Sequence, residues 1–523
     1  MSYIDEKIVL DYYIEQVEKD NIKFLQGKGV FKQQIIMEIK ALKQAETMHD
    51  KIEVSKKLWK LLFESAMSYI DPDKEGYDEL FAYFDEYVNF EELIFASDSF
   101  YRDHTIHCLW VYFLGEYVYR RDEFSVLFKN MNGFTQYYIE MLNAIESSGL
   151  QKVLEKTHKA CQNIISREQY NDSIRCISAL THDLGYPIKK IHKINKCISK
   201  ILPYYSISDY DEFNFTFSEI QKNFIDVFLD NLSTDFMYQY FVQCYSNLSY
   251  SVEEAIIAKK MMDERIAIGA GISEYIKYIK GNMNNTSEKE RAVLERALTP
   301  HISIEHNTKS YMRYSKDFEE FAHGIMSAFL LVKNVNAFSS SNINRSNQPL
   351  VAANMVEFKD FSIKAEILTA ITDHTSSGFK MTHIRTLSEL LILIDELEEF
   401  SRISRANQNR QYINEFCKSS ISCVDGVLQV DFIFDNENIE ELDPELTFKG
   451  KCKRFLSLFD IRDLDESLKI KFRCIGKLPY DKKTYVLELH RKYANITIDG
   501  TEQDIPKYLK SRQFYSKEEY MAL

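Results

Sequence analysis

From the N-terminus to about residue 405, apolar residues recur every three or four positions, the period of helices that bury one face. Ile35, Ile36, Ile39 and Leu42 form one stripe, and Leu58, Leu61, Leu62 and Ala66 another. Residues 1–95 are therefore predicted to be an N-terminal helical region, a docking or oligomerisation layer. Residues 96–405 continue the pattern. A helix beginning near His104 carries His107, Trp110, Val111, Leu114 and Val118. A second runs through Ile174, Ile177 and Leu180 into His182-Asp183 and stops at Gly185-Tyr186-Pro187. A third starts near Phe318 and carries His323, Ile325, Met326, Phe329 and Leu330. A fourth spans Ile363 to His374, and a fifth holds Leu387, Leu390, Leu391, Ile394, Asp395 and Leu397. Between the second and third lies a long, aromatic-rich helical insertion, 190–315, suited equally to a cap or a dimer surface. Residues 336–349 are polar and turn-rich, a predicted loop and candidate lid.

After residue 405 the period changes to that of strands. Residues 419–423, 427–434, 468–472 and 485–489 read as strands, Asp425-Gly426 as a hairpin turn, and 444–458 as an intervening helix. The predicted fold is mainly α, with an N-terminal helical region, a helical core and a small C-terminal α/β appendage at 406–523.

Composition narrows the class. At 523 residues the chain exceeds one ordinary core. With 8 Pro and 16 Gly it has little room for long linkers or turn-dense β architecture. The net charge of −14 repels phosphate backbones and anionic membranes, so broad nucleic-acid or membrane binding is disfavoured, leaving only a locally basic pocket. Nine scattered cysteines without a Cys-x-x-Cys fit reduced thiols. With no leader pattern and no apolar run near the ~20 residues of a membrane span, a cytoplasmic protein is expected.

Four distant segments supply metal-ligand chemistry. They are His107, the pair His182-Asp183, His323, and His374 with Asp395. Each lies on or at the end of an amphipathic helix, so polar side chains on otherwise apolar faces are expected to converge inside. Neutral imidazoles with carboxylates suit Mn, Fe, Ni or Co ions better than Mg.

The ordered series His107, His182-Asp183, His323, His374, Asp395 resembles the HD superfamily of metal-dependent phosphohydrolases over residues 100–402. The resemblance is carried by His107-Cys-Leu-Trp, Ala179-Leu-Thr-His-Asp-Leu-Gly, His323-Gly-Ile-Met-Ser-Ala, Ala370-Ile-Thr-Asp-His374 and Leu393-Ile-Asp395. It implies an HD-type helical bundle holding two divalent ions. His107, His182, Asp183 and Asp395 would hold one ion, and Asp183 would bridge to a second held by His323 and His374. Two ions so bridged lie about 3.5–4 Å apart, the spacing used for phosphate ester hydrolysis by a metal-activated water. The implied substrate is a small phosphate ester, most simply a nucleotide. Gly185-Tyr186-Pro187 follows the doublet directly, whereas cyclic-dinucleotide-cleaving members carry that tripeptide elsewhere, so no subfamily is selected.

Other candidates have two readings each. His104, one turn before His107, either contacts a phosphate oxygen or protonates a leaving group, or is a structural helix-end histidine. Lys189 and Lys190 bind substrate phosphate or are solvated charges. Arg402 is a bidentate phosphate clamp or a surface ion-pair partner. His301 and His306 are substrate-binding lid residues or ordinary. Two other functions stay open: a di-iron oxygenase of the same superfamily, and a non-catalytic ligand-binding or regulatory module. Self-association is open as well.

Overall fold

The computed structural model describes residues 4–71, 77–94, 100–128, 170–207, 209–233, 308–339, 355–376, 378–384, 386–404, 417–437 and 442–504. His301, His306, residues 340–349 and most of the 190–315 insertion lie outside the described residues. Among those described, the chain is mainly helical and ends in a small sheet. No described helix is long and apolar enough to cross a membrane.

Helices α1 (Glu6–Glu18), α2 (Gly29–Gln44), α3 (Met48–Ile70) and α4 (Asp78–Ile94) form the N-terminal part. Asp5 starts α1 by accepting the Ile8 N–H at 2.7 Å, and Thr47 starts α3 by accepting the Asp50 N–H at 3.1 Å. In the two predicted stripes Ile35, Ile39, Leu42, Leu58, Leu62 and Ala66 are buried, with Ile36 and Leu61 at the edge. These helices also reach the ligand-bearing chain. Trp59 donates from Nε1 to the Leu180 carbonyl at 2.8 Å, and the Tyr83 hydroxyl donates to the Leu184 carbonyl at 2.5 Å. Both bonds brace the chain on either side of His182-Asp183.

A short antiparallel pair, β1 (Phe100–Arg102) with β2 (Arg402–Ser404), joins the two ends of the central region. Within it lie α5 (His104–Arg120), α6 (Asn171–Thr181), α7 (Tyr186–Ile201), α8 (Glu219–Leu232), α9 (Thr308–Glu319), α10 (His323–Asn334), α11 (Met355–Asp373) and α12 (Leu387–Leu397). The apolar helix α5 is central, with α1, α3, α6 and α12 packed against it. Burying residues such as Trp110, Phe113 and Leu109 is the main source of its stability, at about 1.5–3 kcal/mol for a large apolar side chain.

Two helix boundaries differ from the sequence expectation. Helix α6 stops at Thr181, before His182-Asp183 rather than at Gly185-Tyr186-Pro187, and that tripeptide opens α7, with Pro187 in the first turn, where a missing N–H costs nothing. His323 does not sit inside a helix begun at Phe318. Helix α9 ends at Glu319, Phe321 takes a left-handed φ of 50°, and His323 is the first residue of a new helix.

The C-terminal part is a six-stranded sheet of β3 (Lys418–Val424), β4 (Val427–Phe434), β5 (Lys469–Gly476), β6 (Thr484–His490), β7 (Tyr493–Ile498) and β8 (Thr501–Gln503) in sequence order. Asp425 and Gly426, at φ 53° and 75°, make the predicted hairpin. Strands β4 and β5 are parallel, which demands a crossover, and α13 (Pro444–Leu458) supplies it. Phe448 and Phe455 of α13 pack on Phe472 of β5. The sequence reading missed β7 and β8.

Candidate metal centre

The four ligand segments meet. His107 comes from the first turn of α5, His182 and Asp183 from the turn after α6, His323 from the first residue of α10, His374 from the end of α11, and Asp395 from α12. Asp183 lies at the middle and its two oxygens face different partners. Oδ2 is 3.4 Å from His182 Nε2 and 3.7 Å from His107 Nε2. Oδ1 is 3.1 Å from His323 Nε2 and 3.4 Å from His374 Nε2. Asp395 Oδ1 closes the first group at 2.9 Å from His107 Nε2. Two of the groups that could hold a metal ion result, His107 with His182 and Asp395, and Asp183 with His323 and His374.

The outer nitrogens of three rings are held. His182 Nδ1 donates to the Ala179 carbonyl at 2.7 Å, and His374 Nδ1 donates to the Ile371 carbonyl at 2.5 Å. His107 Nδ1 is hydrogen-bonded to Glu398, which also accepts from the Ser401 hydroxyl at 2.6 Å and the Ser401 N–H at 2.8 Å. A carbonyl can only accept, so the proton sits on Nδ1 and the Nε2 lone pair faces inward. Burial pushes His182 and His323 down to about 4, so both are neutral at pH 7.

This arrangement tests whether a cation fits. A neutral imidazole lone pair 3.4 Å from a carboxylate oxygen is repulsive unless a positive charge lies between them. His182 Nε2 and His323 Nδ1 are buried nitrogens with no hydrogen-bond partner. The donor set of imidazole nitrogens and carboxylate oxygens is one that divalent transition ions accept. These buried groups could hold a metal ion.

Two glycines and a serine set the spacing. A Cβ on Gly185 would lie 2.3 Å from the His323 carbonyl oxygen, and one on Gly324 would lie 2.5 Å from that of Ile371. Only glycine permits such approach. The Ser327 hydroxyl accepts the Gly185 N–H at 2.7 Å and lies 2.7 Å from the His182 carbonyl and 2.8 Å from that of His323. One side chain thus pins the His182-Asp183 turn to the helix that carries His323.

His104 is buried, and its Nδ1 lies 2.7 Å from a Glu91 carboxylate oxygen. Its ring is 3.9 Å from that of Tyr186, which is in turn 4.7 Å from His323. Lys189 is exposed, and its charge depresses His323 further. Lys190 covers the Tyr186 ring at 4.7 Å. Arg402 is in β2, and its side chain lies outside the described part.

Sequence reasoning missed Glu398, Glu91, Ser327, Tyr186 and Cys108. Glu398 could have been found, because it follows Asp395 by three residues, one helical turn. Glu91 could not, since it reaches His104 only through the packing of α4. Cys108 Sγ is 3.8 Å from His182 Nδ1, and Cys108 forms a possible ligand set with His182 and Asp183. Burial raises its thiol well above the ordinary value, which keeps it protonated beside Asp183.

A second feature reaches the centre from the sheet. The buried Lys451 of α13 pairs with Glu396 at 3.0 Å and Glu399 at 2.8 Å, and Arg454 pairs with Glu396 at 2.9 Å. The segment from Asp395 to Glu399 therefore alternates, two carboxylates serving the centre and two gripped by α13.

No protein-family model matches the chain, and neither a curated protein nor a solved structure matches it.

Proposed function

We propose that this chain is a metal-dependent phosphohydrolase of the HD type, acting on a small phosphate ester such as a nucleotide with two divalent ions. The carrying observation is the split of Asp183, one oxygen toward His107 and His182 and the other toward His323 and His374. A single carboxylate shared between two imidazole pairs suits a dinuclear centre, whose two ions lie about 3.5–4 Å apart.

His107, His182 and Asp395 would hold one ion, His323 and His374 the other, with Asp183 common to both. Bound divalent ions lower the pKa of water and offset charge on phosphoryl oxygens, which is the chemistry hydrolysis needs. The protein's own part is positioning. Glu398 and the Ala179 and Ile371 carbonyls fix three rings so that no reorganisation is needed when substrate arrives. His104, oriented by Glu91 beside Tyr186, is assigned the proton donor to the leaving oxygen. Four imidazoles favour Mn, Fe, Ni or Co over Mg.

The test pairs metal analysis of the purified protein with phosphate release from a nucleotide panel in Mn²⁺. Bound transition metal and phosphate release that disappears on Asp183→Ala are expected. Metal-free, inactive protein overturns the reading, and O₂ consumption by iron-loaded protein without phosphate release replaces it with the oxygenase.

A further inference from the structure

Helix α7 leaves the centre at Tyr186 and carries a basic stripe. Residues 184–208 contain five lysines and no acidic residue, in a chain of net charge −14. Lys189, Lys196 and Lys200 are exposed. Their seven- and four-residue spacings put them within about 40° of one another around the helix, over about 16 Å of its length. Lys193 occupies the intervening position in sequence. Asp209, Asp211 and Glu212 follow, yet no ion pair joins them to these three lysines among the described residues. At the far end, Tyr204 is 89% exposed and Tyr205 74% exposed. Both tyrosines lie in the 3-10 turn Leu202–Tyr205 that follows the helix directly. At the near end, the ring of Tyr186, the first residue of the helix, is 4.7 Å from that of His323.

An isolated solvated face would explain lysines, but not lysines that begin at a phosphate-ester site and end in bare aromatic rings. Cations on a line with stacking platforms beyond them are the elements that hold single-stranded nucleic acid. The acidic remainder of the surface repels long or double-stranded polyanions. A short strand that touches the protein along α7 avoids that repulsion.

We propose that the substrate is a short single-stranded oligonucleotide, its scissile phosphate at the Asp183 centre, its next phosphates along Lys189, Lys196 and Lys200, and its bases against Tyr204 and Tyr205. This rests on the phosphohydrolase reading above. In the reaction a water oxygen bonds to phosphorus, the P–O bond to the neighbouring nucleoside breaks, and the proton ends on the departing hydroxyl.

The experiment is an anisotropy titration of the full-length protein with a short fluorescein-labelled oligothymidylate in EDTA, followed by cleavage in Mn²⁺. Salt-dependent binding is expected, weakened at least about tenfold by Lys196→Glu with Lys200→Glu. The double alanine variant at the same positions should lower the salt slope by about 1.4, two phosphate contacts at ~0.7 each. Binding unchanged by either variant overturns the proposal. So does capture by phosphatidylserine vesicles, through the same lysines, of a protein that ignores the strand. Strand binding without hydrolysis of any phosphate ester sinks the phosphohydrolase reading instead, while nucleotide hydrolysis without strand binding sinks this inference alone.

Discussion

The two halves of the candidate centre are built differently. On the side of His107, His182 and Asp395 every ring is fully buried, and each outer nitrogen is held, His107 by Glu398 and His182 by the Ala179 carbonyl. On the other side His374 is equally held, but His323 is 16% exposed and its Nδ1 has no hydrogen-bond partner. The first half is pre-formed, so an ion entering it orders little. The second has one ring whose outer nitrogen nothing holds, next to the lysine-bearing helix. The contrast predicts a tight ion and an exchangeable one, with substrate approaching on the exchangeable side.

Asp183→Ala breaks both halves at once. Phosphate release is expected to fall at least about a thousandfold, the several kcal/mol that bound ions contribute, and both ions should be lost in metal analysis. Retention of either ion would show that the halves do not share a ligand. Next in size, His323→Ala separates the halves: calorimetric titration with Mn²⁺ should lose the weaker binding event and keep the stronger. Loss of the stronger event would reverse the assignment. Glu398→Gln leaves every ligand in place and removes the charge behind His107, so the stronger event should weaken by about 10–100-fold while the weaker one stays.

The smallest effect is a linkage to pH in the metal-free protein. His182 and His323 are neutral in the fold down to about 4, against an ordinary 6.5 in the unfolded chain. Below pH 6.5 the unfolded state therefore binds more protons, and their contribution to stability, complete above that value, is lost as pH falls toward 4. Urea midpoints should fall more steeply over this window than in a variant with both histidines changed to asparagine. Parallel curves would mean that these rings titrate normally.

How much could be read without coordinates follows the same division. His107, His182, Asp183, His374 and Asp395 announce themselves because each interrupts an apolar stripe, and an interrupted stripe needs a reason. The C-terminal hairpin at Asp425-Gly426 and the helix from Pro444 were legible from local turn and cap chemistry. His323 was found, but its helix was misplaced, because the left-handed Phe321 that resets the chain is not a glycine and leaves no compositional mark. Glu91 and Trp59 were invisible, since their roles depend on α3 and α4 packing beside the doublet, and tertiary contact has no period. Strand β7 has six residues and β8 only three, all exposed and polar, which gives alternation too little length to register.

The grip of Lys451 on Glu396 and Glu399 has a practical corollary. A chain cut where helix gives way to strand, near residue 405, would strip a cation from between two carboxylates that flank Glu398. Their mutual repulsion would then push on the one stretch of backbone that supplies Asp395. The small sheet is thus a counterweight, and an excised helical half should hold its ions less firmly than the intact chain.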